Sequence, residues 1–75
     1  MDIIKTFANN VKKYRIECGY SQEKLAEYSD LHRTYISAVE RCRRSRALEN
    51  VRKIADALHI KTYLLFIENA GEEEM

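Results

Sequence analysis

The chain has no proline, no tryptophan and only two glycines in 75 residues. Proline and glycine supply most tight turns and irregular connections, so their scarcity leaves little room for long loops and predicts a chain that is nearly all helix. No apolar run is long enough to span a bilayer and no secretory leader is visible, so a cytoplasmic protein without membrane attachment is expected. The two cysteines, Cys18 and Cys42, lack a metal-binding spacing and read as reduced thiols. Catalytic signals are missing as well: there is no glycine-rich phosphate loop and no nucleophile–base arrangement. His32 and His59 stand apart without acidic or cysteine companions, and read as a helix start and a helix end. No enzyme, metal site or cofactor is expected. A chain of this length makes one domain with one small core, here expected over residues 1–70, with 71–75 as an acidic, disordered tail.

What is present concentrates in residues 21–40, SQEKLAEYSDLHRTYISAVE. Ser21 is a good N-cap for a helix over Gln22–Tyr28. Leu25 faces inward, and Ala26 is small where a second helix must cross closely. Ser29, Asp30 and Leu31 form a turn, with Asp30 at the position where the backbone goes left-handed. The next helix runs from about His32 to Arg41. Leu31, Ile36 and Val39 are its buried edge. Arg33, Thr34, Ser37 and Ala38 fall on the opposite face, with Tyr35 at the margin. A solvated face is usually outlined by lysine and glutamate. This one carries groups that bond to base edges and phosphates, the layout of a DNA-binding helix-turn-helix.

Net charge is only +1, but its distribution is uneven. Between Arg33 and Lys53 lie seven basic residues and two acids, Glu40 and Glu49. Arg41, Arg43, Arg44 and Arg46 follow the second helix of the motif directly, whereas Glu72, Glu73 and Glu74 gather in the tail. A basic stripe beside such a motif is an electrostatic footprint for phosphate.

Three further helices complete the pattern. Asp2 caps the first, which runs to about Cys18, with Ile4, Phe7, Val11, Tyr14 and Cys18 at helical spacing toward the core. Gly19 is its left-handed stop. The fourth runs from about Leu48 to Leu58, with Val51, Ile54, Ala55 and Leu58 inward, and begins at Ala47, a poor cap. The fifth covers about Thr62 to Asn69. The fold class is therefore all-α, a compact five-helix domain.

Leu25, Ala26, Leu31, Ile36, Val39 and Glu40 resemble the helix-turn-helix of the lambda-repressor-like (XRE) family, and the resemblance extends from about Ile3 to Phe66. The run LHRTYISAVER is sharper. It resembles the controller proteins of restriction–modification systems, which commonly carry an (L)xRTYISxxER sequence in this place.

The resemblance implies a transcription regulator that binds double-stranded DNA as a homodimer on a palindromic operator, beside its own gene and that of an endonuclease, in some cases touching RNA polymerase. Its residues distribute accordingly. Arg33 is expected on guanine, or else on phosphate. Thr34 and Tyr35 are expected on thymine methyls or neighbouring phosphates, Tyr35 being equally a half-buried surface aromatic. Gln22 and Ser37 suit phosphates, as do the free N–H groups at the start of the second helix. Arg43, Arg44 and Arg46 hold the backbone, with Arg44 matching a loop position that reads bases in the controllers. Arg41 either meets phosphate or extends the helix. The family also pairs an arginine matching Arg15 with Glu40, which would tie the first helix to the third and hide the acid. In the resembled pattern Leu65 and Phe66 pack inward, leaving Tyr63, Leu64 and Ile67 as a second apolar stripe. That stripe is either one edge of a wide core or a two-fold dimer interface, with the interface favoured because it is a liability on a small monomer. Two rivals use the same residues: a phage-type repressor or antitoxin of the same fold, and a protein-interaction module acting through helix five.

Overall fold

The computed structural model describes residues 2–43 and 47–68. Four α-helices, α1 (Ile3–Glu17), α2 (Gln22–Ser29), α3 (Arg33–Glu40) and α4 (Leu48–Ala57), are followed by a 3-10 helix over Thr62–Phe66. The fifth helix is thus shorter and tighter than the expected α-helix, and the architecture is four α-helices with a closing 3-10 turn. The five residues TYLLF are rich in aromatic and branched side chains and lack a side-chain N-cap, so packing rather than helix propensity holds them. Asn69 lies outside the described residues.

Two helix starts are capped as their sequences dictate. The Asp2 carboxylate accepts from the N–H groups of Ile4 and Lys5 at 3.1 and 3.2 Å, and Ser21 Oγ accepts from Lys24 N–H at 3.0 Å. Each such cap is worth about 1 kcal/mol. His32 and Ala47, which open α3 and α4, make no side-chain cap.

All four α-helices stop in the same way. Just past each, the chain enters the left-handed region, at Gly19 (φ 76), Asp30 (φ 60), Cys42 (φ 61) and His59 (φ 62). The next N–H then folds back on the last turn. Tyr20 donates to Arg15, Leu31 to Ala26, Arg43 to Ala38 and Ile60 to Ala55, at 2.8–3.1 Å. This doubly bonded Schellman closure satisfies carbonyls that a helix end otherwise leaves open. It makes sharp turns without proline and with a single glycine among the described stops.

The core is Phe7, Val11, Leu25, Ala26, Ile36, Val39, Val51, Ile54, Ala55, Ala57, Leu58 and Leu65. It draws on every element, so no helix buries its apolar face alone. Phe66 is half-buried and stacks on Phe7 with ring centroids 5.4 Å apart. Two expected core positions on α1 are instead exposed: Ile4, at 43%, and Cys18. The apolar periodicity runs the whole length of α1, but the covered part is its middle. Ile4 lies in the first turn and Cys18 at the C-cap, where its thiol still donates to the Leu58 carbonyl at 3.7 Å.

Candidate nucleic-acid interface

The motif is built from α2, the turn at Asp30 and Leu31, and α3. Leu25 and Ala26 on α2 meet Ile36 and Val39 on α3 in the core. Ser29, itself buried, returns its hydroxyl to the Leu25 carbonyl at 2.7 Å, so no polar group is stranded under the turn. With its inner edge held, α3 turns Arg33 and Thr34 to solvent and leaves Ser37 and Ala38 half-exposed. Arg41 and Arg43, just past its end, are exposed. These six positions share one recognition helix and its immediate exit. Arg44 and Arg46, expected to hold the DNA backbone, lie outside the described residues.

Glu40 is the anchor of this helix. Its carboxylate accepts from Arg15 Nε at 2.7 Å and from Arg15 Nη2 at 3.2 Å, with the two side chains 12% and 5% exposed. Arg15 Nη1 also donates to the Tyr20 carbonyl at 2.8 Å. The fork therefore joins α1, the α1–α2 turn and α3. A two-pronged guanidinium–carboxylate pair fixes orientation as well as distance, and it balances the charge of the nearly enclosed carboxylate.

Gln22 also takes part in the anchor. Its side-chain amide donates to Glu40 Oε1 at 3.1 Å, which leaves its other N–H uncommitted among the described hydrogen bonds. A neutral donor at the first residue of α2 lies within reach of a buried carboxylate, and the charged acceptor outcompetes water.

Tyr35 is half-buried and packs against the core. Its hydroxyl is enclosed and makes no hydrogen bond to the described residues. In this conformer the hydroxyl is closed off from solvent.

The second apolar stripe is unevenly exposed. Tyr63 is 61% exposed, and Leu64 and Ile67 are half-buried. Beneath it lies a residue that the periodicity of α1 did not single out. Asn10, buried at 5%, donates through Nδ2 to the carbonyls of Leu65 and Ile67 at 2.9 and 3.0 Å, and to that of Leu64 at 3.4 Å. The signal was a polar side chain one turn from Phe7 on an otherwise apolar face. Among the described residues, no group of three or more His, Cys, Asp or Glu could hold a metal ion. No helix among them is long and apolar enough to cross a membrane.

A helix-turn-helix family model matches residues 11–65, which takes in the Arg15–Glu40 anchor and the whole of α2 to α4. The chain belongs to the helix-turn-helix family. Members of its lambda-repressor-like branch are DNA-binding transcription regulators. Among its relatives is a hypothetical transcription factor of Neisseria meningitidis serogroup B, 44% identical over 88% of this chain and 62% of the relative. The chain therefore spans under two thirds of that protein's length. A crystal structure of a hypothetical transcription factor from Neisseria superposes with a TM-score of 0.91 at 40% identity, over 97% of this chain and 84% of the other. The control protein C.SmaI of Serratia marcescens is 49% identical over 79% of this chain and 70% of its own. The restriction–modification controller C.Esp1396I, solved as a tetramer with its natural 35 base-pair operator, superposes at a TM-score of 0.80 and 33% identity, over 88% of this chain and 87% of the other. This helix-turn-helix chain is thus similar, in sequence and in shape, to controllers of restriction–modification systems.

Proposed function

We propose that the chain is a restriction–modification controller: a homodimer that binds a palindromic operator and regulates its own gene and that of the endonuclease. The observation that carries this reading is the face of α3. Arg33 and Thr34 are presented outward on a helix whose far end is fixed by Glu40 to Arg15 and Gln22. A base-reading side chain is useful only if its helix is held to within a fraction of an ångström, and this anchor supplies that support.

In this reading Arg33 bonds to guanine O6 and N7, Thr34 and the ring of Tyr35 meet thymine methyls, and Ser37, Arg41, Arg43, Arg44 and Arg46 hold phosphates. Tyr63, Leu64 and Ile67 form the two-fold interface. Two copies so joined read half-sites about 34 Å apart, one turn of B-DNA. Residues 1–70 form the domain, 71–75 an acidic tail, and the protein acts in the cytoplasm without cofactor or catalysis. Activation through contact with RNA polymerase belongs to the same proposal.

Footprinting on DNA upstream of its own gene tests it. Protection symmetric about a dyad, at concentrations where unrelated DNA stays free, is the expected result. Protection without symmetry or sequence preference would contradict it.

A further inference from the structure

The 3-10 helix that carries Tyr63 and Leu64 is only five residues long and has no side-chain cap at its start. A segment this short has little intrinsic stability, because its few internal hydrogen bonds barely offset the cost of ordering. Its main chain is held from outside. The Asn10 amide reaches the carbonyls of Leu64, Leu65 and Ile67 at 3.4, 2.9 and 3.0 Å. Those are the carbonyls of the last turn and exit, which a helix cannot satisfy itself. On the other side, Leu65 is fully buried and Phe66 stacks on Phe7. The segment is therefore pinned by one apolar plug and one polar clamp, both meeting α1.

We infer that Asn10 is the positioning residue of the dimer interface: its buried amide fixes the exit of the 3-10 helix and so sets how Tyr63, Leu64 and Ile67 are presented to a second copy of this chain. This rests on the dimer reading above. Two features favour a positioning role over simple filling of the core. The bonds all go to the last turn and exit of the one segment that carries the stripe, with none to α2, α3 or α4 among the described hydrogen bonds. In addition, Asn10 sits on the same helix as Arg15, which holds the recognition helix through Glu40. One rigid rod thus carries both attachments, and the spacing between the two recognition helices of a dimer depends on both.

The test uses Asn10→Asp, which keeps the shape and removes the two amide donors, beside Asn10→Ala. Sedimentation gives the dimer constant. Circular dichroism and salt-sensitive binding to unrelated duplex DNA report whether the α2–α3 unit is intact. The expected result is a folded chain that binds unrelated DNA within about twofold of wild type at monomer concentrations, with dimerisation weakened at least tenfold. A folded variant whose dimer constant stays within twofold of wild type would overturn the inference while leaving the dimer reading intact. A wild-type chain that is monomeric at high micromolar concentration would refute that reading and the inference with it. Should both variants fail to fold, the wild type still decides. In a dilution series followed by NMR, the Asn10 side-chain amide resonances must move with the fraction of dimer, and resonances that stay fixed while the protein dissociates would overturn the inference.

Discussion

Glu40 shows how a single residue joins stability to recognition. It is nearly enclosed and accepts from Arg15 twice and from Gln22 once. A pair of this kind contributes little net stability compared with apolar packing, because both charges lose water, but removing one partner strands the other. Glu40→Ala should therefore lower unfolding free energy by about 3 kcal/mol or more, measured as a shift of the urea midpoint at constant slope. An unchanged midpoint would mean that the Arg15 guanidinium finds solvent without cost. The pair was legible because its two members match a family pattern. The bond from Gln22 to Glu40 was not, since it depends on the three-dimensional approach of α2 to α3.

At the scale of elements, the repeated left-handed stop is the organising device. A residue with a Cβ adopts that conformation at a cost of about 1–2 kcal/mol, less for aspartate and asparagine. His59 bears the cost on an exposed turn, so His59→Gly should raise stability by about 1 kcal/mol, equivalent to roughly 4–8 °C in Tm for a domain of this size. Gly19→Ala should lower it by a similar amount. An added Cβ there meets no atom within 4 Å, so the loss isolates backbone strain from crowding. Equal melting temperatures for both variants and wild type would contradict this. Asp30 and Gly19 were readable as stops because their residue types tolerate positive φ. Cys42 was not, since cysteine has no such preference and the register of α3 alone puts it there. Helix periodicity found α1 to α4 but carried the buried face of α1 too far at both ends, to Ile4 and Cys18, because a pattern of period 3.6 does not say where the neighbouring elements end. It also lengthened the last element, where burial of Leu65 and the Asn10 clamp, rather than propensity, select a 3-10 turn.

At the scale of the whole molecule, a net charge of +1 hides a strongly polar arrangement. Arg33, Arg41 and Arg43 are exposed on one helix and its exit, and counterion release makes binding through such groups fall steeply with salt. Each phosphate neutralised contributes about 0.9 to the slope of log K against log salt. Arg43→Ala should therefore reduce the slope by about 1.8 for a dimer, one contact in each copy, while leaving the preferred sequence unaltered. An unaltered slope would place Arg43 away from the duplex. The stripe and the helix-turn-helix were both legible in the sequence, since charge order and apolar spacing are linear patterns. The Asn10 clamp was not, because its partners lie at the far end of the chain.

The most direct measurement is selection of bound sequences from a random duplex pool at near-physiological salt, with wild type and Arg33→Ala in parallel. A two-fold symmetric motif with half-sites one helical turn apart, losing its preference for one guanine in each half-site in the variant, is the predicted result. Loss of a bidentate arginine–guanine contact corresponds to about 1–3 kcal/mol of discrimination. Failure to enrich any motif, with only weak salt-sensitive binding, would contradict sequence-specific recognition by this helix.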